Sequence, residues 1–276
     1  MPSINTNVAA IKARSNLDKV QRELDTSIAR LSSGKRITRA SDDSAGMAIA
    51  GRMESQIRGL NMTLRGAKDG QSLVDTQEGA MQQISSLLQR MRELAVQASS
   101  GTATSADKDY LQIENLALAH EIKAIGLNTK FNDTAVLTGT KFNFYTDIDV
   151  AGTSIETVSA AMSVTRLGIA TAAISIGGGE AIAGLEDVIS VIDTAIARVD
   201  SKRASLGAIS TRFDHVIDNL TNTVANTESA RSRVEDADFA VETTQLTRNT
   251  VLQQAATSMV AQANAQKNSI LALIQG

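Results

Sequence analysis

The sequence predicts a mainly α fold: a long antiparallel coiled-coil or helical-bundle rod, with a small β-hairpin insert and paired terminal helices. Three observations point there. The 276 residues contain one Pro, at position 2, so no proline interrupts a helix further along the chain. Leu185, Ile192, Val199, Leu206, Phe213 and Leu220 recur at intervals of seven, and the positions between them, Val188, Ala195, Lys202, Ile209, Val216 and Thr223, are mostly apolar. Aromatic residues make up 3% of the chain against 42% hydrophobic residues in all, which suits packed stripes better than a compact globular core.

The elements follow in order. Leu17, Val20, Leu24, Ile28 and Leu31 step by three and four, the spacing of an amphipathic helix, which Ser32-Ser33-Gly34 ends. Ser41 reads as an N-cap, with Asp42 and Asp43 in the first turn behind it. From there to Ser100 a stripe runs through Met53, Ile57, Leu60, Leu64, Ala67, Val74, Met81, Ile84, Leu88, Met91 and Ala95, with Gly101 as the stop. That predicts a helix of ~87 Å at about 1.5 Å per residue. Thr104 and Asp107 form a capping-box pattern for a shorter helix with Leu111, Ile113, Leu116 and Leu118, ended by Gly126. Lys141–Tyr145 and Thr153–Val158 read as strands of a hairpin, Leu167–Ile176 as strand or helix, and Gly177–Gly179 as a loop. After the heptads of the last third, Arg231–Asp236 reads as a charged joint. Leu252, Ala256, Met259, Ala263, Ile270 and Leu273 then mark a final helix, whose other faces carry Gln253, Gln254, Gln262, Asn264, Gln266 and Asn268.

Two domains are expected. Residues 1–44 and 234–276 form a terminal helical domain, and 45–233 a rod of long helices with a β insert at about 131–180. Neither terminal arm holds a core of its own. Residues 1–44 carry eight Lys/Arg and five Asp/Glu, and 234–276 carry two and four, so the arms are oppositely charged and suited to pairing with each other or with arms of neighbouring copies. Leu17, Val20, Leu24, Leu31, Leu252, Met259, Ile270 and Leu273 are the expected inner-core contacts. Six glycines, Gly46, Gly51, Gly59, Gly66, Gly70 and Gly79, fall inside the long helix, where each costs ~1 kcal/mol relative to Ala. They serve either close helix packing or softness.

The residues offer little chemistry. A net charge of −3 argues against nucleic-acid binding, and no cysteine means no disulfide, thiolate metal site or Cys nucleophile. His120-Glu121 begins a zinc-protease motif, but Ala124 stands where the second His is needed. Gly34-Lys35 lacks the upstream glycine of a phosphate loop, no Gly-x-Ser-x-Gly elbow occurs, and Asp42/Asp43 are better helix-cap residues than a catalytic pair. Lys35, Arg36 and Arg39 have no interleaved aromatics and read as a solvated joint or as salt-bridge partners of a neighbouring subunit. No catalytic residue, cofactor or metal is expected. Met1–Arg14 holds no apolar run of a secretory signal, and no stretch suits a membrane span, so no membrane insertion is expected either.

Four segments carry a family resemblance. Leu31–Ile37 (LSSGKRI) followed by Ala40–Ile49 (ASDDSAGMAI) resembles the N-terminal signature of bacterial flagellin. Gln89–Gln97 (QRMRELAVQ) resembles a second flagellin segment. Ser229–Ala240 (SARSRVEDADFA) and Gln262–Leu271 (QANAQKNSIL) resemble its C-terminal signature. The likeness covers about the first 140 and last 90 residues, in the family's order. It implies a minimal flagellin without the variable outer domains: a non-enzymatic subunit exported unfolded through the flagellar type III apparatus, which polymerises into the extracellular filament for swimming. It implies self-association and, as partners, an export chaperone, the cap and the hook-junction proteins. Gln89, Arg90, Leu94, Gln97 and Glu114 match positions by which the host Toll-like receptor for flagellin recognises the family. A hook–filament junction protein, and a secreted enzyme or adhesin with flagellin-like export ends, are the alternatives.

Overall fold

The computed structural model of the protein describes residues 6–147, 154–158, 161–177 and 182–275; for 158, 171–172, 182–183 and 266–275 it describes the backbone alone. Six α-helices dominate the described residues. They are α1 (Val8–Ser33), α2 (Ser44–Ala98), α3 (Ser105–Asn128), α4 (Val164–Leu167), α5 (Ile182–Glu235) and α6 (Phe239–Gln275). Contacts divide the chain into two compact units, Arg58–Val224 and Met1–Ile57 with Ala225–Gly276.

The Arg58–Val224 unit is built on the stripes of α2 and α5. Leu60, Ala67, Val74, Met81, Ile84, Leu88, Met91 and Ala95 of α2 are buried, as are Leu185, Ile192, Val199, Leu206, Phe213 and Leu220 of α5. Lys202, the one charged residue in the α5 pattern, is exposed. Polar pairs at the rim set the helices antiparallel. Arg92 meets Asp193 at 2.6 Å, Arg203 meets Glu78 at 2.8 Å, and Gln71 Nε2 donates to Asp214 at 2.6 Å. Such exposed pairs contribute ~0–1 kcal/mol each, so apolar burial carries the stability and the pairs specify register.

Helix α3 lies against this pair through Asn115, Ala119, Ile122 and Gly126, spaced by four and three. Ile113 is exposed instead of joining that face. The expected capping box is present: Thr104 Oγ1 accepts from Asp107 N at 3.3 Å, and Asp107 accepts from Thr104 N at 3.0 Å. The Thr104 hydroxyl, and after it the Thr104 amide, hold the Asp107 carboxyl below its ordinary pKa. Gly126 does not end α3, which continues to Asn128. Its role is close approach, because a Cβ there would lie 2.6 Å from the Met162 carbonyl oxygen.

The β insert is short. Strands β1 (Lys130–Phe131) and β2 (Thr134–Ala135) pair around Asn132 and Asp133, both at positive φ (48° and 61°), a two-residue turn that Asn and Asp tolerate. The sequence reading passed over this turn. Strands β3 (Lys141–Tyr145) and β4 (Ser154–Val158) form the expected antiparallel hairpin, with Asn143 opposite Glu156. Leu167–Ile176, open between strand and helix in the sequence, holds the end of α4 and a 3-10 turn at Thr171–Ile174. Buried amide side chains hold these irregular segments, whose backbone carbonyls need donors. Gln77 Nε2 donates to Val136 O at 3.0 Å, and Asn115 Nδ2 donates to Ile174 O at 2.7 Å.

In the other unit, α2 begins at Ser44 and not beside Ser41. Asp43 is the cap, accepting from Gly46 N at 2.8 Å. Asp42 binds the preceding turn, accepting from Arg39 N at 2.9 Å and from Thr38 N at 3.1 Å. The Arg39 amide, then the Thr38 hydroxyl and amide, keep its carboxyl below the usual pKa. The sequence placed the helix start two residues early because three capping residues stand in a row.

The glycines of α2 divide. A Cβ at Gly70 would lie 2.7 Å from the Phe213 ring, which meets Phe144 edge-on at a centroid distance of 5.7 Å. At Gly66 a Cβ would meet nothing within 4 Å. Gly70→Ala is therefore expected to destabilise the protein, because overpacking costs ~1–3 kcal/mol. Gly66→Ala is expected to stabilise it by ~1 kcal/mol through helix propensity. Urea unfolding of the two variants checks this, and shifts of the same sign would contradict the assignment.

Candidate assembly surface

The N- and C-terminal arms meet at a joint built from both ends of the chain. Gly34 ends α1 in the left-handed region (φ 71°), its N–H donating to Arg30 O at 2.8 Å. The chain then pairs with the end of α5. Arg36 N donates to Glu235 O at 2.7 Å, Ala237 N donates to Gly34 O at 3.0 Å, and Lys35 bridges Asp236 in antiparallel fashion. Lys35 forms an ion pair with Glu235, and Arg36 Nη2 donates to Val234 O at 2.6 Å. The basic run Lys35–Arg36 thus finds its partners within the same chain. The joint sits later than the sequence suggested, since α5 remains helical to Glu235.

Beyond the joint α1 and α6 pair antiparallel. On α1 the covered positions include Ala10, Ala13, Leu17, Val20, Leu24, Ser27 and Leu31. On α6 they are Glu242, Leu246, Asn249, Gln253, Ala256, Val260 and Ala263. Both series alternate steps of three and four, the period of a coiled-coil seam. Asn7 Nδ2 donates to Ala263 O at 3.0 Å at one end, Gln253 Nε2 donates to Gln21 Oε1 at 2.6 Å in the middle, and Arg30 Nη1 lies 3.0 Å from Glu242 Oε1 at the other. Much of the α6 side is small or polar. The seam is therefore specific in register but buries little apolar area, so it contributes modest stability.

This places the expected inner-core residues in two groups. Leu17, Val20, Leu24 and Leu31 are half-buried in the seam. Leu252 and Met259 are not in it; they are 41% and 62% exposed. Of the expected α6 stripe, Ala256 and Ala263 lie in the seam and Leu252 and Met259 do not; the seam continues through Gln253 and Val260 instead. Val251 and Val241 on α6, with Val8, Ile11 and Ile28 on α1, are exposed as well. Ile270 and Leu273 lie outside the residues whose side chains are described. A helix pair that hides a polar seam and shows large apolar side chains outward has the surface of an assembling segment.

The five receptor-resembling residues lie on α2 and α3. Gln89, Arg90, Gln97 and Glu114 are exposed, whereas Leu94 is 0% exposed within the core. Arg90 Nε lies 2.9 Å from Glu114 Oε1 and its Nη1 3.0 Å from Glu93 Oε2. The hydrogen bond that Arg90 donates to Glu114, then that to Glu93, raises the guanidinium pKa above its ordinary value.

His120 is exposed on α3, with Glu121 and Lys123 exposed beside it. No group of three or more His, Asp or Glu side chains that could hold a metal occurs among the described residues. Among the same residues no helix is long and apolar enough to cross a membrane.

Comparison with known proteins gives the family. Residues 4–142 match the bacterial flagellin N-terminal helical region, and residues 189–274 match the bacterial flagellin C-terminal helical region. The chain is 37% identical over 272 residues to a flagellin of Halalkalibacterium halodurans, with 99% of each chain covered. It is 36% identical over 302 residues to a flagellin of Bacillus subtilis, again with 99% of each covered. Among solved structures it resembles in fold a flagellar hook-associated protein of Vibrio parahaemolyticus, at a TM-score of 0.61 and 12% identity, covering 71% of this chain and 100% of that one. Only residues 143–188 separate the two matched regions. The chain belongs to the bacterial flagellins and is one with no outer domain.

Proposed function

We propose that this chain is the structural subunit that polymerises into the extracellular bacterial flagellar filament for swimming, with the paired arms as the polymerising element. The observation that carries the proposal is the outward apolar track of α6, Leu252 and Met259 above all, on a helix pair whose own seam runs elsewhere. Burial of that track between copies supplies the driving force, and a repeated, non-closing contact between identical subunits generates a helical filament. On this reading residues 1–44 and 234–276 are the inner core, and 45–233 the rod outside it. Leu17, Val20, Leu24 and Leu31 hold the arm pair, while Leu252, Met259, Ile270 and Leu273 meet neighbouring copies. The exposed Gln254, Gln262 and Asn264 then wall a polar channel. The chain reaches the filament tip by export in the unfolded state, served by a chaperone and received by the cap and hook-junction proteins. It acts as a structural protein and not as an enzyme.

Electron microscopy of seeded assembly tests this. The full chain is expected to form long filaments. A 45–233 deletion, and a Leu252→Asp/Met259→Asp variant with wild-type helicity, are expected to form none. Filaments from the double variant would remove the α6 track from the mechanism, and their absence from the full chain would favour a junction protein.

Recognition of the monomer by the host Toll-like receptor for flagellin is a second proposed property, supported by exposed Gln89, Arg90, Gln97 and Glu114 in the matching segment. Leu94 would then act by shaping α2 from within the core. Arg90→Ala is expected to lower receptor signalling by the monomer about tenfold, a charge-assisted contact being worth about 1.5–3 kcal/mol. Unchanged signalling would refute the carry-over.

A further inference from the structure

The chain holds eight methionines and no cysteine, so thioethers are its only sulfur. Packing shields four of those described: Met81, Met91 and Met162 are buried, and Met53 is half-buried. Met47, Met62 and Met259 are exposed, Met259 the most at 62%. Thioether oxidation follows access, so these three react with a peroxide before the rest. Their surroundings differ. Met62 lies in the Arg58–Val224 unit, and Met47 in the first turn of α2. Met259 lies on the outward side of α6, in line with Leu252 two turns earlier.

That side of α6 has little apolar surface to lose. Residues 252–265 read LQQAATSMVAQANA, in which the large apolar residues are Leu252, Met259 and Val260. Val260 lies in the seam with α1, so Met259 and Leu252 carry the outward track of this stretch between them. The hydroxyls beside Met259 are committed to their own helix. Thr257 Oγ1 and Ser258 Oγ both donate to Gln254 O, at 2.8 and 3.0 Å. Oxidation turns a flexible apolar side chain into a polar sulfoxide, whose acceptor oxygen a dry contact would leave unpaired.

We propose that Met259 is an oxidation site that controls assembly, with a hydroperoxide as the oxidant. A sulfur lone pair attacks one peroxide oxygen; the O–O bond breaks as the S–O bond forms. With hydrogen peroxide, the proton of the attacked oxygen passes to the leaving hydroxide, which departs as water. The thioether is oxidised by two electrons and the peroxide is reduced by the same two. The step requires the free monomer, because a neighbouring copy covers Met259. The modified chain keeps its own α1–α6 seam, to which Met259 does not belong, and loses the contact between copies. A methionine sulfoxide reductase reverses the step: the oxygen leaves as water while two thiols become a disulfide. This inference rests on the assembly role proposed for the Leu252–Met259 track and adds its regulation.

Hydrogen peroxide is the probe. Folded full-length monomer is oxidised only in part, so that most modified chains carry a single sulfoxide, and is then seeded with filament fragments. Peptide mass spectrometry compares the filaments with the chains left in solution. Met259 sulfoxide is expected to be depleted about tenfold in the filaments, because an unpaired polar oxygen opposes the contact it enters. Met62 sulfoxide, formed at nearly the same exposure (60%), is expected in both fractions alike. The oxidised monomer is expected to keep its helicity, and reductase with thiol to return the excluded chains to filaments. Met259 sulfoxide in filaments at its share of the starting pool overturns the proposal, as does loss of helicity on oxidation. The assembly reading fails separately. Filaments from the Leu252→Asp/Met259→Asp variant would sink that reading, whereas filaments rich in Met259 sulfoxide, beside a double variant that forms none, sink the oxidation site alone.

Discussion

Two helices of more than fifty residues each, α2 and α5, present apolar stripes that neither can bury alone. Their antiparallel contact is the constraint on which the rest of the structure depends. Rim pairs such as Arg92–Asp193 and Arg203–Glu78 hold its register, and the buried stripes supply its energy. The same order is visible at the far ends of both helices, where Arg231 lies 4.0 Å from Glu54. Within the Met1–Ile57 and Ala225–Gly276 unit the start of α2 and the end of α5 lie side by side. The chain segments beyond them are then adjacent, and the joint at residues 34–37 and 234–237 turns that adjacency into hydrogen bonds.

The arms differ in kind from the helices they extend. In the Arg58–Val224 unit the covered positions are mostly Leu, Ile, Val, Met, Phe and Ala; in the α1–α6 seam they include Ser27, Glu242, Asn249 and Gln253. Polar residues at seam positions set register and orientation at a cost in stability. Threonines along α6 add to this softness. Thr243, Thr244, Thr247 and Thr250 each bond back to a carbonyl of the preceding turn, a habit that bends and slightly weakens helices. A pair that is specific but modestly stable suits a segment whose large apolar side chains face outward, toward further copies.

How much of this was legible in the sequence depended on the strength of the periodic signal. The α5 heptads, the α2 stripe, the Thr104–Asp107 capping box and the β3–β4 hairpin could all be read, because in each a repeated or paired pattern pointed one way. The α6 face could be read only in part. Ala256 and Ala263 of the expected stripe are covered, whereas the larger Leu252 and Met259 are not, because the smaller residues let the helices approach. Leu94 shows the same limit in reverse: the family resemblance set it beside exposed Arg90, while packing took it into the core. The β1–β2 turn carried a signal in Asn132-Asp133, which its two-residue strands made easy to miss. The glycines were ambiguous for a physical reason, since only the neighbours distinguish a close approach at Gly70 from open space at Gly66.

The central claim is that the arms pair within one chain through the Leu17–Leu31 track and use the Leu252–Met259 track between chains. A side-chain-resolution structure of the assembled filament, determined by electron cryomicroscopy, tests it most directly. The account predicts Arg30 paired with Glu242 of its own chain, and Leu252 and Met259 buried against neighbouring subunits. An α1 helix paired with the α6 of another copy, or Leu252 and Met259 facing solvent in the filament, would contradict it.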